Sequence, residues 1–161
     1  MTTGQVAEVR TQTARPDAPG VTLAVMLTVV GATAVLVSGW VHFYLYFRGG
    51  YRGIQPEDFA GLTISRSFAL NAVGAVVIAE ALMLSLLRPR LVIPATLAGI
   101  GFGLATLTAY SLSRTSGLLG FTEHTTTTEA VIGIVSEGVA VLALGARLVL
   151  ALRRDPALHR T

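Results

Sequence analysis

Long apolar runs alternate with short polar breaks along this chain. Residues 21–47 contain no formal charge before Arg48, and at helical rise about 20 residues already span the hydrocarbon of a bilayer. A second run, 65–87, ends at Arg88-Pro89-Arg90, where proline stops a helix and arginines mark an interface. A third, 91–113, has Pro94 in its first turn, where a missing amide donor costs little. The fourth, 129–152, stops at Arg153-Arg154. The breaks are turn-forming: 48–64 holds Gly49, Gly50, Gly53, Pro56 and the acidic pair Glu57-Asp58, and 117–128 is rich in glycine and threonine. The threonines at 125–128, followed by Glu129, resemble an N-cap leading into an apolar run. The pattern predicts an all-α fold, a four-helix transmembrane bundle with helices at about 21–47, 65–87, 91–113 and 129–152.

Residues 1–20 are polar, carry Pro16 and Pro19 and lack apolar periodicity, so they read as a disordered tail. They do not read as a secretory signal, because the apolar run behind them is far longer than a signal's core of about 7–15 residues. Residues 153–161 form a second short polar tail. Eight arginines fall on the side of the two tails and of the 88–90 turn, against four (Arg48, Arg52, Arg66 and Arg114) on the side of the two longer loops. The positive-inside rule therefore predicts both termini in the cytoplasm, and a multi-pass protein of the bacterial cytoplasmic membrane. Trp40, Tyr44, Tyr46, Tyr51, Tyr110 and Phe121 fall near the opposite boundary, where an interfacial aromatic belt is expected.

Composition sharpens this picture. Of 161 residues 52% are hydrophobic and 13% charged, where soluble domains carry roughly a quarter charged residues. The mean hydropathy is +0.66. The net charge of +3 arises from 12 basic residues that are all arginine, placed at the ends of apolar runs rather than on one face, so nucleic-acid binding is not expected. Absence of cysteine removes disulfides, thiolate catalysis and cysteine metal sites. Arginine-only basicity with much alanine, valine and glycine matches the usage of a high-GC bacterial genome. Small residues recur where helices could approach: Gly99 with Gly103, Ala72 with Ala75 and Ala79, Gly31 with Ala34 and Ser38.

Few groups could carry chemistry. Glu80 and Glu137 lie inside apolar runs, where a carboxylate costs several kcal/mol unless paired, hydrated or protonated, so each is expected to face the bundle interior. At helical rise Glu80 lies deeper from the outer end of its run than Glu137 does, so the two are not level. One reading is a proton- or cation-handling pair; the other is two neutral acids hydrogen-bonding across helices, with Ser136 or Asn71 as partners. Arg147, ten residues after Glu137, is expected to snorkel to the cytoplasmic headgroups. His42 and Tyr46 near the end of the first helix, with Glu123 and His124 in the second outer loop, share one side of the membrane. If they converge they could hold a metal ion, position a quinone head or sense pH. Their spacing has no fixed metal motif, and a bis-histidine haem is disfavoured because His124 sits in a loop and His159 in a tail. The serines lack a nearby histidine and acid, so no catalytic residue is assigned, an enzyme is not expected and no cofactor is predicted.

The segment Trp40-Val-His42-Phe-Tyr-Leu-Tyr46, with Gly50-Tyr51-Arg52-Gly53-Ile54 and Gly120-Phe121-Thr-Glu123, resembles small four-helix integral membrane proteins of actinobacteria. In those a helix-end histidine accompanies a Gly-Tyr-Arg loop; here Gln55 stands between Ile54 and Pro56, where Ile-Pro would be expected. The resemblance implies the fold and no activity; the likeness to DoxX-type proteins is one of size and pass count. Three functions follow in order of expectation: an accessory or interaction protein working with a membrane partner or a second copy, a proton-coupled solute pathway using Glu80 and Glu137, and a quinone- or cofactor-binding redox protein using His42.

Overall fold

A computed structural model of the chain describes residues 18–54 and 59–153. Among them run four α-helices: α1 (Ala18–Phe47), α2 (Ile64–Ser85), α3 (Val92–Thr115) and α4 (Thr128–Arg153). All four are long and apolar enough to cross a membrane, and no strand occurs among the described residues. The expected bundle is therefore present. Residues 1–17 and 154–161, with His159, and the acidic pair Glu57-Asp58 lie outside the described residues.

The helix ends differ from expectation by a few residues, each for a local reason. α1 begins at Ala18, so residues 18–20 belong to the helix rather than to the tail: a proline at 19 is compatible with a first turn, whose amides have no intrahelical acceptor. At the other end Gly49 N–H donates back to Leu45 O at 2.9 Å, and Gly50 adopts φ 84°. That left-handed conformation, open to glycine without strain, folds the following 3₁₀ turn Tyr51–Gly53 back over the bundle. Thr63 caps α2, its Oγ1 accepting from Arg66 N–H at 3.2 Å. α2 ends at Ser85, and a second 3₁₀ turn, Pro89–Leu91, leads into α3. Thr127 caps α4 by accepting from Ala130 N–H at 3.2 Å.

α1 packs closely along both α2 and α4, α3 packs chiefly on α4, and α1 and α3 lie diagonally opposed. The surface is apolar, with Leu142 76%, Val73 64% and Met26 59% exposed, whereas Thr28, Ser38, Thr96, Ser136 and Glu137 are buried. This inside-out distribution is what lipid as solvent selects. Small residues make the contacts. Leu144, fully buried, fits against Gly31 of α1 and Gly99 of α3, and Gly103 faces Val141 and the Glu137 carbonyl of α4. Gly39 lies against Ala75.

The core is not uniform along the bundle. Toward the turn between α2 and α3, Ala32, Ala79, Leu82, Ala95 and Leu144 bring all four helices together. The next cluster, Ala34, Val35, Ala75 and Ala140, has no buried residue of α3, which reaches it only through the partly buried Phe102. From there to the end bearing the α1–α2 and α3–α4 loops, the loop end, the bundle holds a partly open cavity.

Candidate functional site

The cavity has a volume of about 420 Å³ and is walled by all four helices and both loops. That size lies within the roughly 300–1,000 Å³ usual for small-molecule sites. Most of its wall is apolar or aromatic, and three hydrogen-bonded sets of polar groups organise it.

The deepest set joins α1 to α4. Ala130, Gly133, Ile134 and Glu137 recur at helical spacing and turn one face of α4 into the cavity. Glu137, only 2% exposed, accepts a hydrogen bond from Ser38 Oγ at 2.8 Å. The Ser38 carbonyl accepts in turn from His42 Nδ1 at 2.9 Å. Because a carbonyl can only accept, Nδ1 carries the proton, and Nε2 of a neutral ring is left as an acceptor. Glu137 and Ser38 each lie about 14 Å from the loop-end terminus of their helix at helical rise, which puts both at one depth.

The second set bridges α2 and α3. Asn71 Nδ2 donates to Thr106 Oγ1 at 3.0 Å, and that hydroxyl donates to Phe102 O at 2.9 Å. Asn71 Oδ1 is buried and has no partner. A buried acceptor left unpaired costs about 1–3 kcal/mol, so it marks a position where a donor from outside the protein would be stabilised.

The third set forms a roof. Tyr51, brought over the helix ends by the Gly50 turn, stacks on Phe68 at 4.4 Å between ring centroids and meets Phe121 edge-on at 5.6 Å. His42 lies 5.0 Å from the other neighbour of this stack, Phe68. Tyr51 Oη donates to Glu123 Oε2 at 2.7 Å, tying the first loop to the second. Glu123 Oε1 accepts from both the amide and hydroxyl of Thr125 at 3.0 Å, and its own amide donates to Ser113 O at 2.9 Å. Partial burial pushes the Glu123 carboxyl up, but the bonds from Tyr51 and Thr125 and the nearby Arg114 outweigh it and hold the group below its ordinary range. Burial, with the Glu123 bond and charge behind it, pushes the Tyr51 phenol well above its ordinary value. The roof is thus a neutral phenol donating to a carboxylate.

The site residues expected from the sequence divide. Glu137, His42 and Glu123 all line the cavity. Glu80 does not: it is exposed, on the same α2 face as Val73, Val77 and Leu84, so the expected inward pair with Glu137 is not formed. The reason is helical phase. Ala75, Ala79 and Leu82 define the buried face of α2, and residue 80 falls beyond it. Glu80 also lies about 8 Å from the Ser85 end at helical rise, within reach of headgroups. His124 is exposed and outside the cavity, so it does not converge with His42; Tyr46 packs edge-on against Phe47 at 4.8 Å. Among the described residues no group of three or more metal-ligating side chains forms. Ser136 bonds to Gly133 O of its own helix, not to a carboxyl. Arg147 is half-buried, and its Nε donates to Thr28 Oγ1 at 3.2 Å. Of the expected aromatic belt, Trp40 and Tyr44 face outward, but Tyr51, Tyr110 and Phe121 turn into the cavity.

Ser38, Phe68 and Thr106 were not legible as site residues. Hydroxyls are common in these helices, and most, such as Thr108 and Ser111, bond to a carbonyl of their own turn. The three short motifs quoted above do meet, through His42, Tyr51, Phe121 and Glu123. No protein-family model, curated protein or solved structure matches the chain, so its chemistry is argued from this site alone.

Proposed function

We propose that this is a multi-pass protein of the bacterial cytoplasmic membrane, with both termini in the cytoplasm, that binds a small, largely apolar molecule in the loop-end cavity. The observation that carries this reading is the cavity itself: apolar walls from four helices around a few converging polar groups, one of them the unpartnered Asn71 Oδ1. A protein built only to brace a partner has no need of a hollow beneath a hydrogen-bonded roof. The reading draws on both alternatives expected from the sequence, a solute pathway using Glu80 and Glu137 and ligand binding at His42, keeping Glu137 and His42 as members of one site and leaving Glu80 out of it.

The test is to purify the full chain into lipid nanodiscs and identify extracted small molecules by mass spectrometry, beside Ala109→Phe, which puts a ring into the cavity wall. A compound retained stoichiometrically by the wild type and lost from a folded Ala109→Phe supports the reading. An identical extract from both proteins removes it.

One observation favours an accessory role as a second reading. Glu80 presents a carboxyl on a face otherwise made of Val73, Val76, Val77 and Leu84, and a neighbouring transmembrane helix bearing a hydrogen-bond donor would lower its cost. Affinity purification that recovers one protein stoichiometrically with wild type, and not with Glu80→Leu, would establish it.

A further inference from the structure

The ligand's charge is encoded in the hydrogen bonds the cavity has already used. Most of its donors are committed: Ser38 Oγ to Glu137, His42 Nδ1 to the Ser38 carbonyl, Tyr51 Oη to Glu123, Thr106 Oγ1 to Phe102 O, and one Asn71 Nδ2 hydrogen to Thr106, which leaves the Tyr110 phenol and the Thr127 hydroxyl toward the outer part of the wall. What is left over is mostly acceptor capacity, namely Asn71 Oδ1, Nε2 of a neutral His42 and the second oxygen of Glu137. An apolar molecule whose polar end is a carbonyl or an anion would find few donors there.

The charges agree. Three carboxyl groups line the space, Glu123 and Glu129 near the mouth and Glu137 about 12 Å further along α4 than Glu129 at helical rise, and no arginine lines it. The nearby arginines have partners outside the deep part of the cavity: Arg52 lies 5.8 Å over the Phe47 ring, Arg66 bonds to the Gly61 carbonyl, and Arg114 bonds to the Glu123 carbonyl and sits near its carboxylate. Glu137 therefore has a hydroxyl partner but no fixed counter-cation, in surroundings where an ionised carboxylate needs one. Five aromatic rings, those of Tyr51, Phe68, Phe102, Tyr110 and Phe121, complete the wall, and ring faces attract cations as well as apolar bodies.

We propose that the cavity selects a lipophilic organic cation, a protonated amine on an apolar body, with its ammonium between Glu137 and Asn71 and its apolar part among the aromatic rings. This rests on the cavity being a binding site and adds the class of ligand. The ammonium supplies the donors that Asn71 Oδ1 and Glu137 lack, and the mouth carboxylates favour its approach.

The test uses three probes of one shape, 4-phenylbutylammonium, 4-phenylbutanol and 4-phenylbutyrate, titrated calorimetrically into the full chain in nanodiscs, with empty nanodiscs subtracted. The cation is expected to bind at least about tenfold more tightly than the alcohol, and the carboxylate not measurably. Glu137→Gln keeps an acceptor for Ser38 and is expected to bring the cation's affinity down to that of the alcohol. If Glu137→Gln loses its thermal unfolding transition, Glu129→Gln carries the test, with a loss of about two- to threefold for the cation and none for the alcohol. Alcohol or carboxylate binding as tightly as the cation, and abolished by Ala109→Phe, overturns the cation proposal while the binding-site reading stands. If none of the probes binds in a manner sensitive to Ala109→Phe, the cation proposal falls, and the binding-site reading is then decided by the extracted ligand.

Discussion

Ser38 is the residue on which the polar interior turns, since its hydroxyl donates to Glu137 and its carbonyl orients His42. Ser38→Ala would leave a buried carboxyl without its partner and is expected to cost about 1–3 kcal/mol in unfolding assays in nanodiscs. Ser136→Ala is the control, because that hydroxyl bonds within its own helix and its loss should change little. The roof makes a prediction in pH. The folded-state pKa of Glu123 is depressed, so the latch contributes stability above the ordinary carboxylate range and loses it as pH falls through the lower folded value. The difference in Tm between wild type and Glu123→Gln should hold from neutrality to about pH 5 and close only below the ordinary carboxylate pKa. Closure at higher pH would show that Tyr51 and Thr125 do not hold the carboxylate as charged. Glu137, His42 and Glu123 were legible because ionisable groups are rare in such a chain. Ser38 and Thr106 were not, because a hydroxyl in a membrane helix usually satisfies itself, and only three-dimensional register distinguishes one that reaches across.

The spans of the helices were legible to within a few residues at each end, since charge-free runs of this length admit little else, and the small-residue positions Gly99 and Gly103 do lie against α4. Rotation about the helix axis was legible only in part. In α2 the small residues Ala75 and Ala79 did mark a close-approach face, but large apolar residues surround the helix, and the expectation that a membrane carboxylate turns inward put Glu80 on the wrong side. Close approach can be tested with one pair of substitutions in α3. A Cβ at Gly99 would lie 2.5 Å from Leu144 Cδ1, and Leu144 cannot retreat, because it is fully buried and a Cβ at Gly31 would meet it at 2.4 Å. Gly101, two residues on and on the opposite face of α3, has open space around it. Gly99→Ala should therefore destabilise the bundle by about 1–3 kcal/mol. Gly101→Ala should be neutral or stabilising by up to about 1 kcal/mol, since alanine favours the helix. Equal effects on chemical denaturation would mean that α3 does not seat on Leu144.

For the whole molecule, the asymmetry that matters is between the packed half, where four helices meet around Leu144, and the hollow half beneath the Tyr51–Glu123 roof. The hollow half is the end with fewer arginines, so the positive-inside rule that sets the orientation also sets which side of the membrane the cavity's mouth faces. Because the chain contains no cysteine, a single introduced thiol reports this directly. Leu87, 80% exposed beside the arginines of the α2–α3 turn, and Ser116, exposed just beyond α3, mark the two ends. In intact cells a membrane-impermeant maleimide should label Ser116→Cys and spare Leu87→Cys until the membrane is opened. The reverse pattern would overturn the orientation and turn the mouth carboxylates Glu123 and Glu129 toward the cytoplasm. A ligand would then be drawn from inside the cell, whereas with Ser116 outside the same carboxylates recruit it from the outer surface, where the roof is the first element it meets.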